Sequence, residues 1–181
     1  MTGEPLRWET DGSAIEYRCP GFDVRRDDVT LPDGTGAEYH YVEEPPAVVI
    51  LPFTPDREVV TIREWRQAVD RTNHGLPAGS FEDGEDRIEA ARRELREETG
   101  YEADRLEHLL TVEPANGIAD SVHHHFVAHD CTPSTEQDLD TDETIAVEPV
   151  PYVEFLSSVV DGEIRDGRAA LAVMQYELIH R

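Results

Sequence analysis

Apolar positions along the chain change period several times, and each change marks an element. Residues 1–44 read as short strands broken by turns, the clearest being Pro32-Asp33-Gly34 between the β-rich stretches 22–31 and 37–42. Two apolar, β-branched runs follow at 47–51 and 58–65, joined by the turn-like Thr54-Pro55-Asp56. The period then shifts to that of a helix over 85–99. Glu85 and Asp86 suit its N-terminal dipole, Ile88, Ala91 and Leu95 form an apolar stripe, and Gly100 is placed to end it. Further strands are predicted at 106–113, 121–129 and 144–150, and helices at 153–160 and 169–179. Strands and helices mix without regular β-α alternation, which predicts an α+β fold rather than a doubly wound sheet.

With 181 residues, one main domain can bury a core without covalent staples. The two cysteines, Cys19 and Cys131, are too few and too far apart in sequence for a disulfide framework, so a reducing cytoplasmic setting is expected. The first eleven residues lack the apolar run of a signal peptide, and the stretch 47–51 is too short to span a bilayer.

Charge changes the picture more. There are 40 acidic residues against 16 basic ones, a formal −24, and all 16 are arginine. A field of that sign repels nucleic acid and anionic membranes, so neither is expected as a partner. Adaptation to a salty cytoplasm, where self-repulsion is screened, accounts for the acidity. An anionic substrate would then need local cations.

The candidate chemistry lies on the 85–99 helix. Glu94, Glu97 and Glu98 stand at i, i+3 and i+4, on one narrow face. Hard divalent cations select carboxylate oxygen, and Mg²⁺ binds through a few carboxylates plus substrate phosphates. The interleaved Arg92, Arg93 and Arg96 offer the plainer alternative of a solvated, ion-paired helix.

The surroundings decide between them. From Gly79 there are five residues to Glu85, seven more to Arg93, then Glu94-Leu95-Arg96-Glu97-Glu98-Thr99-Gly100-Tyr101. This resembles the box of the Nudix hydrolases, G-x5-E-x7-R-E-U-x-E-E-x-G-U with U apolar, Tyr101 being a looser fit to the last position. The resemblance implies a Nudix fold, a mixed β-sheet between helices over 45–181, with 1–44 as a small N-terminal β-extension. It implies Glu94 and Glu98 as principal metal ligands, Glu97 assisting directly or through water, and Glu85 with Arg93 as a buried pair fixing loop to helix. Mg²⁺ is the implied ion, with Mn²⁺ as the alternative.

The flanks resemble the ADP-ribose pyrophosphatases. Leu76-Pro77-Ala78-Gly79, Arg63-Glu64-Trp65-Arg66, the Leu31-Pro32-Asp33-Gly34 turn and Asp161-Gly162-Glu163-Ile164 carry this likeness. It implies a metal-ligating carbonyl at Ala78, arginines Arg66 and Arg63 on the diphosphate, and substrate contacts at Gly117. It also implies base stacking by an N-terminal aromatic, Phe22, Trp8 or Tyr17, and a homodimer through the N-terminal strands. Three positions depart from the subfamily pattern: Gly75 replaces an acid, Glu64 a glutamine and Asn116 a proline.

A glutamate on a loop after the box often serves such enzymes as general base. Glu143 is the choice within the acidic run 136–143, with Asp140 and Asp142 as alternatives. An EF-hand reading of that run fails, because the required glycine is Glu143 and the terminal ligand position holds Pro149. His123-His124-His125 cannot converge on a metal, since alternate strand residues face opposite sides. The expected activity is hydrolysis of ADP-ribose to AMP and ribose 5-phosphate. The alternatives are another X-diphosphate-nucleoside, such as NADH or a different nucleotide sugar, and a Nudix module that senses a nucleotide sugar without cutting it.

Overall fold

A computed structural model describes residues 6–82, 84–141 and 143–180; Asp142 therefore lies outside the described residues. The chain divides into two compact units, the first of Met1–Pro45 with Glu113–Val122, the second of Pro46–Val112 with His123–Arg181.

The first unit is an antiparallel sheet of β1 (Glu9–Arg18), β2 (Asp23–Thr30) and β3 (Gly36–Glu43), in that order. The β2–β3 turn falls at the expected Pro-Asp-Gly, with Gly34 at φ 86° and its N–H bonded to the Leu31 carbonyl. β1 shows no alternation in sequence because register shifts between Thr10 and Gly12, and between Ile15 and Tyr17, interrupt its two-residue period. Val29 is the only buried hydrophobic among this unit's described residues. The strands are instead laced by cross-strand ion pairs, Arg25–Glu43 at 2.6 Å and Arg26–Glu16 at 2.8 Å, and by the edge-to-face pair Trp8–Tyr39. The 113–122 segment is tied to β3 through Val42 N–H to Ile118 O and Asp120 N–H to Val42 O.

The second unit begins with β4 (Ala47–Pro52) and β5 (Glu58–Arg66), a short 3-10 turn (Gln67–Val69), then β6 (Arg71–Gly75) and β7 (Ala78–Ser80). Next come α1 (Arg87–Thr99), β8 (Tyr101–Glu102), β9 (Arg105–Val112), β10 (His123–His129), β11 (Thr132–Pro133) and β12 (Ile145–Pro151), and last α2 (Tyr152–Val160) and α3 (Gly167–His180). One sheet runs β7-β4-β10-β9, with β10 parallel to β4; a second runs β12-β5-β6, antiparallel throughout. This is the mixed, α+β arrangement.

Helices cover both faces of the first of these sheets. Val48, Ile50, Phe126 and Ala128 pack against Ala90, Ala91 and Leu95 of α1. Val49, Leu51 and Val127, on the alternate face, pack with Phe155 of α2 and Ala172 and Val173 of α3. Ile88 does not join the α1 stripe; it is exposed, and Ala90 takes the buried place. The helix starts later than expected because Asp86 caps it, its side chain accepting from the Ile88 N–H at 2.8 Å, which leaves Glu85 outside. Its end is as expected, with Gly100 left-handed at φ 74°. The histidine run alternates sides: His124 bonds Thr111, while His125 is fully buried on the other face. Among the described residues no helix is long and apolar enough to cross a membrane.

Candidate active site

Strand β7 and helix α1 meet at very short range, and that approach organises the site. A Cβ on Gly79 would lie 2.2 Å from the carboxyl carbon and both oxygens of Glu94, so only glycine leaves the carboxylate its place. One residue earlier, the Ala78 N–H donates to Glu98 Oε2 at 2.9 Å. The i, i+4 pair Glu94 and Glu98 is thereby pinned under the β7 backbone, 8% and 3% exposed.

Arg93 locks the preceding loop to the helix. Its Nε and Nη2 bond the two oxygens of Glu85, each at 3.0 Å, and Nη2 also donates to the Ser80 carbonyl. The Glu85 carboxylate in turn accepts the Glu82 N–H at 3.0 Å. Arg93 Nη1 bridges Glu94 Oε1 at 2.8 Å and Glu97 Oε2 at 3.0 Å. So Glu97 is brought into the network, but at the more exposed rim.

Electrostatics follow from this geometry. Burial pushes the Glu98 carboxyl up to about 9; the Ala78 N–H opposes the shift, and Glu94, Glu143 and Glu64 add to it. Burial likewise raises Glu94 to about 7, against the pull of Arg93 and with help from Glu97 and Glu143. Two desolvated carboxylates one helical turn apart, surrounded by further acids, are a donor set that suits a hard divalent cation. No preformed cage of three or more acidic, histidine or cysteine side chains exists among the described residues. Arg93 holds Glu94 and Glu97 from one side, and the Ala78 N–H holds Glu98 from the other.

The acidic loop is anchored to the end of α1. Asp138 N–H bonds the Glu97 carbonyl at 2.9 Å, and Gln137 Nε2 bonds the Glu98 carbonyl at 2.6 Å. Gln137, the one amide in that acidic run, thus caps the helix that carries the glutamates. The loop turns back through Asp140 N–H to Glu143 Oε2 at 3.0 Å. This leaves Glu143 close enough to raise the proton affinity of Glu64, Glu94 and Glu98.

The two arginines of β5 part company. Residues three apart on a strand face opposite sides. Arg66 shares its face with Glu64 and pairs with it at 2.7 Å, and the Glu64 charge is felt at Glu98. Arg63 points the other way, bonds Glu148, and lines a polar cavity of about 720 Å³ with His74, Asn73 and Arg165. The remaining candidates lie in the first unit. Phe22 and Tyr17 are exposed aromatics, and the Gly117 carbonyl accepts from the Tyr39 hydroxyl at 3.0 Å. Trp8, Tyr39, Tyr41 and Asn116 share a cavity of about 610 Å³ in that unit.

Residues 43–169 match the NUDIX domain. The chain belongs to the Nudix family. Among its relatives, the ADP-ribose pyrophosphatase of Bacillus subtilis (strain 168) is 33% identical over 158 residues, 87% of this chain and 85% of that one. The methanol dehydrogenase activator of Bacillus methanolicus is 32% identical over 84% of this chain and 83% of its own length. The GDP-mannose pyrophosphatase of Yersinia enterocolitica is 29% identical over 74% of this chain and 73% of its own. The crystal structure of an ADP compounds hydrolase superposes with a TM-score of 0.85 at 24% identity, covering 98% of this chain and 96% of that one. This likeness is one of fold, and the Nudix match itself spans 43–169. Two supporting residues were missed in sequence: Gln137, which bonds the end of the box helix and whose singularity in an acidic run was a usable signal, and Asp166, which caps α3 by accepting the Arg168 and Ala169 N–H groups.

Proposed function

We propose that this Nudix chain hydrolyses the diphosphate bond of nucleoside diphosphate sugars, ADP-ribose first, releasing AMP and ribose 5-phosphate. The observation that carries the reading is the buried Glu94–Glu98 pair under Gly79, framed by the Glu85–Arg93 lock and within electrostatic reach of Glu143. The name and the extent of the Bacillus subtilis relative support the substrate class.

Glu94 and Glu98 would hold Mg²⁺, or Mn²⁺ in its place, with Glu97 and the Ala78 backbone assisting. Such an ion, when bound, neutralises diphosphate charge and acidifies a water. Glu143 takes a proton from the attacking water; among the loop's described acids it is the one whose charge is felt at both Glu94 and Glu98. Arg66 holds the diphosphate in line for attack. Arg93 is already fully engaged and serves to fix the glutamates rather than to meet substrate. For the aromatics and Gly117 of the first unit, the likeness to the ADP-ribose pyrophosphatase supports a role in substrate binding. The chain acts as a cytoplasmic homodimer in high salt, joined through the N-terminal strands.

A rival specificity is favoured by two facts: the GDP-mannose pyrophosphatases among the relatives, and Asn116 where a rigid proline is expected from the subfamily. The deciding measurement is kcat/KM for ADP-ribose, ADP-glucose, GDP-mannose and NADH with Mg²⁺ in one molar-salt buffer. ADP-ribose falling tenfold below any other overturns the substrate assignment. No release from any of the four overturns the hydrolase reading.

A further inference from the structure

Arg66 does not wait free for an anion. Its Nη2 lies 2.7 Å from Glu64 Oε2, and the Glu64 side chain is the more enclosed of the two, 12% exposed against 37%. Strand alternation fixes this: positions i and i+2 of β5 share a face, and the antiparallel partner β12 sets Ile145 beside Glu64, two residues from Glu143. Arg168, at the start of α3, adds positive potential at Glu64, while Glu143 and Asp166 add negative. Among the described residues Glu64 is the carboxylate that pairs with Arg66.

We infer that Glu64 is an internal competitor of the substrate: its carboxylate occupies the Arg66 guanidinium, and the diphosphate is bound only by displacing it. This rests on the proposed function in one respect, that Arg66 is the diphosphate contact. The charge balance favours exchange. Glu64 is largely desolvated and stands among other carboxylates, both of which raise its proton affinity and weaken its hold as an anion. A diphosphate carries more negative charge and more acceptor oxygens than one carboxylate, so it wins the fork, but only by the difference between the two pairings. Glu64 thereby raises the threshold for any weak or singly charged anion. It is a positioning residue that sets affinity, with no contact to the reacting atoms.

The test is Glu64→Gln, which keeps shape and removes the charge, alongside Glu64→Asp, Arg66→Ala and the double variant Glu64→Gln/Arg66→Ala. Steady-state kinetics on ADP-ribose with Mg²⁺ would be read together with calorimetric Kd for methylenediphosphonate, which needs no turnover. Glu64→Gln is expected to lower both KM and Kd by roughly threefold to tenfold, the size of one partly exposed ion pair, with kcat moving less than KM. Glu64→Asp should restore values near the parent's, and in the Arg66→Ala background Glu64→Gln should have no further effect. A KM or Kd that rises or stays level, a kcat loss above tenfold, or an equal effect without Arg66 overturns the inference. If the parent does not cleave ADP-ribose, the proposed substrate fails while the calorimetric arm still decides; no measurable methylenediphosphonate binding to parent or variant also overturns it.

Discussion

Adding one methyl group at Gly79 tests the geometry of the site without touching any charged residue. The backbone there is ordinary extended strand paired with Val48, so alanine brings no conformational strain. What it brings is a Cβ 2.2 Å from the Glu94 carboxyl group, where ordinary contact begins near 3.4 Å, so the carboxylate must retreat by about 1.2 Å. Glu94 has nowhere easy to go: it is 8% exposed and held by Arg93 Nη1 at 2.8 Å. Either that bond breaks or α1 moves off β7. Overpacking of this kind costs about 1–3 kcal/mol, a fall in Tm of roughly 3–10 °C for a chain of this length. The larger effect is on turnover, since a misplacement of about 1 Å at a reacting centre costs on the order of 100-fold. Melting and kcat of Gly79→Ala would be compared with Gly36→Ala, where an added Cβ meets nothing within 4 Å and no change is expected. Parent-like Tm and kcat in Gly79→Ala would refute the close approach of β7 to Glu94, and with it the site as drawn.

Glu98→Gln should cut kcat by on the order of 10³ with the fold retained, since it removes charge where a cation would be held; full activity in a folded variant would sink that role. Glu143→Gln should cost less, on the order of 10²–10³, and if it is silent while Asp140→Asn is crippling, the base is elsewhere on the loop. His125 is fully buried with both ring nitrogens unpartnered among the described residues, and burial lowers its pKa to about 4. Its folded pKa lies below the usual 6.5, so its contribution is fully present above pH 6.5 and is lost as pH falls towards 4, by about 3 kcal/mol in all. Chemical unfolding of His125→Leu at pH 7 and pH 5 should show a smaller loss than the parent; equal losses would remove His125 as the cause. A chain of net −24 should melt higher in molar KCl than at low salt, because the Debye length shortens from about 30 Å at 0.01 M to 3 Å at 1 M; a flat or falling Tm would reject the high-salt reading.

Much of the second unit was legible because its signals are local. The glutamates at i, i+3 and i+4, the Gly100 stop and the apolar runs of β4 and β5 each declare themselves within a few residues. Strands β6 and β7 did not, since Arg-Thr-Asn-His-Gly has no apolar alternation; these residues are strand because β5 offers a hydrogen-bonding edge. β1 was blurred by its two register shifts. The return of Glu113–Val122 to the first unit rests on contacts with β3, more than seventy residues away in the case of Tyr39 and Gly117. The subfamily likeness also put Arg63 and Arg66 in one role, although strand geometry sends them to opposite faces.

The Gly75 position shows why a site can be legible in its candidate residues and opaque in their supports. In sequence, glycine before Leu76-Pro77-Ala78-Gly79 reads as the loss of an acidic contact. In space the acid is there. A Cβ on Gly75 would stand 3.2 Å from Asp166 Oδ2, so the carboxylate that the strand lacks is delivered by the residue capping α3. Asn73, two residues along the same strand, bonds that oxygen at 2.8 Å, and Arg168 holds it from the helix side. Burial alone would raise the Asp166 pKa, but the Arg168 guanidinium and the Arg168 and Ala169 N–H groups hold it below the usual range and keep the carboxylate ionised. A glycine on one element and an aspartate ninety residues on thus form a single structural unit. Reading either alone gives the wrong sign for the local charge, and only a contact between them restores it.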